Sequence, residues 1–147
     1  MSWQLFSQEN PQLAQFGEQR FASRVAYLAT IRKDGSPRVH PVTPIVGQGR
    51  LFLFMEPTSF KGHDLRRDGR YALHCAVEDA NGGEGEFFIN GQAIPIDDPA
   101  IRALAVELAS YSPAERYVLF ELNVAYAMSV EYDDNKVNRQ SWRKTQS

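Results

Sequence analysis

The sequence predicts a mainly β fold, with six antiparallel strands forming a barrel and short helices at its periphery. Three observations carry this. Six apolar runs recur along the chain, and the first three are joined by connections too short for crossover helices, which argues against a doubly wound sheet. Asp34-Gly35 lies between the first two runs, a strong hairpin signal. Val118, Phe120, Leu122, Val124, Tyr126, Met128, Val130 and Tyr132 follow a period of two, interleaved with Glu121, Asn123, Ser129 and Glu131, the pattern of a half-buried strand.

The elements follow in order. Asn10 caps a helix over about 10–22, with Pro11 in its first turn, where no amide donor is needed. Leu13, Phe16 and Phe21 give it an apolar face. Strand one spans about Val25–Ile31 and strand two about Arg38–Val46, the latter interrupted by Pro41 and Pro44, which cannot donate ladder hydrogen bonds. A Gly-Gln-Gly turn leads to strand three, about Arg50–Met55. Glu56-Pro57-Thr58-Ser59 ends that strand and opens a short helix through about Asp68. Strand four covers about Arg70–Val77. Strand five covers about Glu84–Ile96, with Asn90-Gly91 marking a bulge or bend. Asp97-Asp98-Pro99 starts another helix with Ile101, Leu104, Ala105 and Leu108 on one face. Strand six is the alternating run from Val118, and a polar tail follows over 133–147.

The 147 residues fit one domain over 1–147, with enough chain to bury a core. A net charge of −2 gives no reason to expect nucleic acid or a membrane as partner, so any phosphate site must be local. No apolar run approaches the length of a membrane helix. No secretory leader is visible at the N-terminus, and the single cysteine, Cys75, forms no intrachain disulfide, so a cytoplasmic protein is expected.

The most informative stretch is Arg38–Leu65. Thr58, Ser59 and Lys61 at a helix start place hydroxyls, an ammonium and free amides together, the make-up of a phosphate cradle. An ordinary capped helix with a solvated lysine uses the same residues. The proline-interrupted strand beside this start suits a flat ligand with a phosphate tail. His40, His63 and His74 make no metal-ligand spacing with one another or with Cys75, so no metal site is expected. Glu84 and Glu86 read as a solvated strand face. No nucleophile elbow, Walker loop or dinucleotide fingerprint occurs, and no catalytic residue is assigned.

The segments YLATIRKDGSPRVHPVTPIV, LFLFMEPTSFKGHDLRRDGRYALHC, GEFFINGQAIPI and VLFELNVAYAMSVEYD, in this order and spacing, resemble the pyridoxamine 5′-phosphate oxidase-like, FMN-binding split β-barrel family. The resemblance covers nearly all of the chain after about residue 20. It implies a homodimer with FMN at the subunit interface. It also implies that Arg38, Val39, His40, Pro41 and Val42 lie along the isoalloxazine, and that Phe54 and Met55 lie beside the ring or ribityl chain. Ser59 and Lys61 match the family's phosphate-binding Ser-x-Lys, and Trp142 with Arg143 echoes a C-terminal contact from the partner.

This sequence departs from the true oxidases at three places. Phe60 stands where they carry a second basic residue, Thr43 where they use a lysine, and their C-terminal Arg-x-His is absent. The resemblance therefore implies a retained flavin site and a lost vitamin B6 phosphate site. The expected function is an FMN-dependent oxidoreductase acting on a small molecule. The deazaflavin F420 in place of FMN is one alternative. A flavin-binding or haem-handling module with little turnover is another, and for haem His40 is the histidine to watch.

Overall fold

The computed structural model describes residues 2–145. Two helices open the chain, α1 over Ser2–Glu9 and α2 over Pro11–Phe21. The strands are β1 (Ala26–Ile31), β2 (Pro37–Val42), β3 (Ile45–Gly47), β4 (Arg50–Met55), β5 (Arg70–Cys75), β6 (Glu86–Ile96), β7 (Val118–Asp133) and β8 (Lys136–Arg143). Helix α3 (Phe60–Arg67) lies between β4 and β5, and α4 (Pro99–Leu108) between β6 and β7. All strand pairs are antiparallel, in the order β2-β1-β5-β6-β7-β4-β3, with β8 added to the second half of β7. The mainly β antiparallel expectation holds, with eight strands rather than six.

Both extra strands have local causes. The expected second strand breaks at Thr43-Pro44, because proline has no amide to give the ladder, and resumes as β3 on the far side of the sheet, paired only with β4. The expected polar tail forms β8, whose side chains from Lys136 to Ser141 are exposed while Trp142 is buried. Gln146 and Ser147 of that tail lie outside the described residues.

Strand β4 reads RLFLFM, and both of its faces are buried. Leu51, Leu53 and Met55 join the main core with Phe87, Ile89 and Leu122, while Phe52 and Phe54 join a second core with Ile45, Leu119 and Ala105 of α4. A strand covered on both sides has no reason to alternate. Strand β7 does alternate in sequence, but its faces switch. Asn90 pairs with Tyr126 and Gly91 with Val124, leaving Ala125 as an extra residue on β7. Phe120, Leu122 and Val124 point into the main core before this bulge, and Ala127 does after it. Tyr126 and Met128, in phase with Val124 by sequence, therefore turn to the opposite face. Gly91 is required here, since a Cβ would lie 1.9 Å from the Asn123 carbonyl oxygen. The bulge stands at the predicted Asn90-Gly91 position.

Candidate functional site

The seam between β2 and α3 holds the residues singled out in sequence, and a buried carboxylate fixes it. Asp64 of α3 is 3% exposed and accepts from Thr30 Oγ1 at 2.8 Å, Arg38 Nε at 2.7 Å and an Arg67 terminal nitrogen at 3.0 Å. One side chain thus ties β1, β2 and α3 together. Burial pushes the Asp64 carboxyl up, but the hydrogen bonds from Thr30, Arg38 and Arg67 outweigh it and hold the group below the usual carboxylate range.

Strand β2 is an edge strand whose side chains alternate. Arg38, His40 and Val42 are half-buried, whereas Val39 and Pro41 are exposed, Val39 at 63%. The five consecutive residues expected along one ring are therefore split between two faces, as the period of a strand demands. The Nε2 atom of His40 is buried and has no hydrogen-bond partner. Burial, followed by the charges of Lys61 and Arg38, lowers the His40 pKa below its ordinary value, so this imidazole is neutral near pH 7.

A cavity of about 320 Å3 opens at the Val42 end of the seam. Phe54, Met55, Tyr111 and Tyr117 supply aromatic and apolar wall, Thr43 lies at the strand break, and Lys61 supplies the charge. Lys61 has no ion-pair or side-chain hydrogen-bond partner among the described residues. Glu56 lines the same cavity, but Arg116 holds it, with Nε 3.0 Å from both carboxylate oxygens. Ser59 caps α3, donating to the Glu56 carbonyl at 2.8 Å and accepting from the Gly62 amide at 3.1 Å. Its hydroxyl proton is thus engaged, as is the Gly62 amide, leaving the Lys61 ammonium and the amides of Phe60 and Lys61 as the free donors of this helix start among the described residues.

Phe54 and Met55, expected beside a flavin, line this cavity, and each is also largely buried in its core. Trp142 does not fit the expectation. Its ring centroid is 5.0 Å from that of Phe6, and its Nε1–H donates to Glu9 Oε1 at 2.9 Å. β8 folds back along β7 and delivers this indole to the core of its own chain, so it is not a side chain free to reach a partner's cofactor. Glu84 lies in the loop before β6 and pairs with Arg24 at 2.8 Å, while Glu86 accepts from Tyr132, so neither joins the seam. Tyr111 and Tyr117 were not singled out by sequence, because they flank a Ser-Pro connection that reads only as a linker.

The sequence matches the family model described as Pyridoxamine 5′-phosphate oxidase over residues 11–130. The chain belongs to this family. The matched span runs from α2 into β7 and leaves α1 and β8 outside it. No curated protein matches the sequence. Among solved structures, a heme binding protein from Mycobacterium smegmatis superposes with a TM-score of 0.69 at 20% identity, over 87% of this chain. This chain covers 57% of that protein, little more than half its length. A NimC/NimA family protein from Clostridium acetobutylicum gives 0.65 at 16% identity, covering 88% of this chain and 92% of its own. PhzG from Burkholderia lata 383, in complex with tetrahydrophenazine-1-carboxylic acid, gives 0.55 at 18% identity, covering 95% and 92%. At such identities the likeness is one of fold. Among the described residues, no helix is long and apolar enough to cross a membrane.

Proposed function

We propose that residues 1–147 act as one flavin-binding domain and that the protein is an FMN-dependent oxidoreductase for a small molecule, with each flavin held at a homodimer interface. The observation that carries this reading is the pairing of Lys61, a cation without a protein partner, with His40 Nε2, a buried polar atom without one, on two sides of the same seam. Buried polar atoms are nearly always satisfied, so an orphan on the strand that walls the seam is a reason to expect a partner that the chain does not supply. The donor set fits FMN. Lys61 and the α3 first-turn amides bind the phosphate, Phe54, Tyr111 and Tyr117 present rings to a flat tricycle, and neutral His40 offers one hydrogen bond to a polar ring atom.

When bound, a flavin supplies the hydride chemistry. The chain's own part is positioning. β2 forms one wall, its outward backbone groups are free of a second ladder because it is an edge strand, and the aromatic wall excludes water from the ring. No protein nucleophile is required. F420 presents a similar tricycle and a phosphate, and Lys61 serves either cofactor.

A haem-handling role is the second reading, favoured by the unpartnered Nε2 of His40. The protein as purified, examined by visible absorption and by mass spectrometry of the released ligand, separates these readings. FMN absorbs near about 450 nm, F420 near about 420 nm, and haem gives a Soret band. Equal affinity for FMN and riboflavin removes the argument from Lys61.

A further inference from the structure

A second cavity, of about 280 Å3, opens at the other end of the same seam, beside Arg38. We infer that it binds a second anionic group, a phosphate or a carboxylate, separate from the one that Lys61 addresses. The inference deepens the proposed function and rests on it only for the source of that group.

The cavity is built from the turn of the β1–β2 hairpin and the outer side of α3. Its cations are Arg32, Lys33, Arg38 and Arg67, in a chain whose net charge is −2. The two carboxylates in the wall are already engaged. Asp64 accepts from Thr30, Arg38 and Arg67, and Asp34 accepts from the Ser36 amide at 3.0 Å and its hydroxyl at 2.6 Å. Neither Arg32 nor Lys33 has a side-chain partner among the described residues. The cavity therefore holds positive charge that nothing within the chain neutralises.

Arg38 gives this charge a direction. It donates to Asp64 through Nε alone, and Phe60 lies against its guanidinium, 4.9 Å from ring centroid to Cζ. The two terminal nitrogens make no hydrogen bond among the described residues. A guanidinium held from behind by a buried carboxylate and from the side by a ring, with its fork open, is a preorganised receptor for a bidentate oxyanion. Such preorganisation removes much of the side-chain entropy that binding otherwise costs.

The two cavities share one track. Arg38 and Val42 mark the two ends of β2, roughly 13 Å apart at strand rise, and both Lys61 and Arg38 act on His40 between them. The neighbours Phe60 and Lys61 belong to different cavities: Lys61 lines one, and Phe60, 67% exposed, lines the other. A ligand lying along β2 with its first anion at Lys61 would carry its second to Arg38, Arg32 and Lys33. That group belongs either to an extended cofactor that carries an anion well beyond its first phosphate, such as the carboxylate-bearing tail of F420, or to an acidic substrate.

Inorganic pyrophosphate tests the site without any flavin. Titrated into the full chain and followed by backbone amide NMR, it is expected to give saturable shifts at Arg32, Lys33 and Arg38. The shifts should persist in Lys61→Ala and weaken about tenfold or more in the Arg32→Ala/Lys33→Ala double variant. Both replaced side chains are exposed, so the variant should keep the wild-type spectrum elsewhere. Absence of saturable shifts in the wild type, or equal affinity in the double variant, overturns the inference. Loss of the shifts in Lys61→Ala also overturns it, by placing the anion at the first cavity. Flavin titrations then name the source. F420 held more tightly than FMN by the wild type, with the difference gone in the double variant, assigns the group to the cofactor. Pyrophosphate binding with no preference for F420 assigns it to the substrate. Pyrophosphate binding with no flavin binding at all refutes the flavin reading and leaves the anion site standing.

Discussion

Arg38 donates its Nε to Asp64 at 2.7 Å, and that single bond fixes an edge strand to a helix. Among the described residues β2 has β1 as its only strand neighbour, so its position over α3 depends on side chains rather than on a second ladder. Thr30 and Arg67 complete the carboxylate's coordination, and the same arrangement aims the open face of Arg38 at solvent. The seam is thus held by a buried charge whose partners all come from the elements that line it.

Asp64→Asn should therefore destabilise the fold by about 1–3 kcal/mol, because two guanidinium groups lose a charged acceptor while the shape is kept. Urea unfolding of the two proteins checks this. The pH dependence has a definite sign. The Asp64 carboxyl is held below its ordinary value in the folded chain, so its contribution is fully present above the unfolded value and is lost as pH falls through the folded one. The gap between wild type and Asp64→Asn should be constant near neutrality and should narrow below about pH 4. A gap unchanged down to pH 2 to 3 would show that the carboxylate is not the stabilising species.

Lys61→Ala should weaken FMN binding by roughly 10- to 150-fold through loss of one charge-assisted contact. Stability should be nearly unchanged, since Lys61 has no side-chain partner to lose among the described residues. Fluorescence titration with FMN and with riboflavin measures the effect. The substitution should leave riboflavin affinity as it was, since that ligand has no phosphate for the ammonium to hold.

Much of this site was legible because short-range chemistry fixes it. Asn10, Ser59 and Asp98 each cap the helix that the sequence places after them, and Lys61 follows one of those caps into the cavity. What was not legible depends on long-range pairing. The Asp64 carboxylate joins residues 26 and 34 positions away in sequence, a distance at which spacing carries no signal. The extra residue at Ala125 inverts the faces of a strand whose alternation looks uninterrupted, so Tyr126 and Met128 read as core partners of Val124 when they are not. Trp142 has the same origin: a polar segment gives no hint that β7 will supply an edge for it.

Trp142→Ala tests that correction. Removing an indole packed on Phe6 and bonded to Glu9 should cost about 3–5 kcal/mol. The protein that remains folded should bind FMN with wild-type affinity. Thermal unfolding together with flavin titration below the transition separates the two effects. Weakened FMN binding with stability intact would restore Trp142 to the cofactor site.

Pyridoxamine and pyridoxine 5′-phosphate should be poor substrates despite the family to which the chain belongs. Thr43 stands at the cavity where a lysine would be needed for the substrate phosphate, and β8 carries no Arg-x-His. Lys61 is the one unpaired cation of that cavity, and FMN would already occupy it. Oxidase assays at saturating FMN should show turnover no greater than with buffer alone. Robust turnover would mean that other cations, those beside Arg38 included, read the vitamin phosphate.

Assembly and cofactor binding should be linked. On the face of the sheet turned away from the main core, Pro41, Tyr27, His74, Phe88 and Met128 stand opposite one another across β2, β1, β5, β6 and β7. The His74 and Phe88 rings stack with centroids 6.0 Å apart, while Tyr27 and Val39 stay 45% and 63% exposed. An apolar and aromatic strip of this kind marks an interaction surface, and a two-fold pair of identical chains is the commonest way to cover one. Pro41 belongs both to this strip and to the wall of the Lys61 cavity, so a partner seated on the strip would reach the cavity mouth. If each flavin touches both chains, FMN at about 100 times its Kd should tighten the dimer by at least about 100-fold, and dilution should release cofactor. Sedimentation velocity over a concentration series, with flavin absorbance followed separately, measures both halves of this linkage. Tyr27→Glu places a charge in the strip without touching Lys61, and should lower the dimer's stability and its FMN occupancy together. A monomer that keeps FMN at full occupancy would show that one chain completes the site alone.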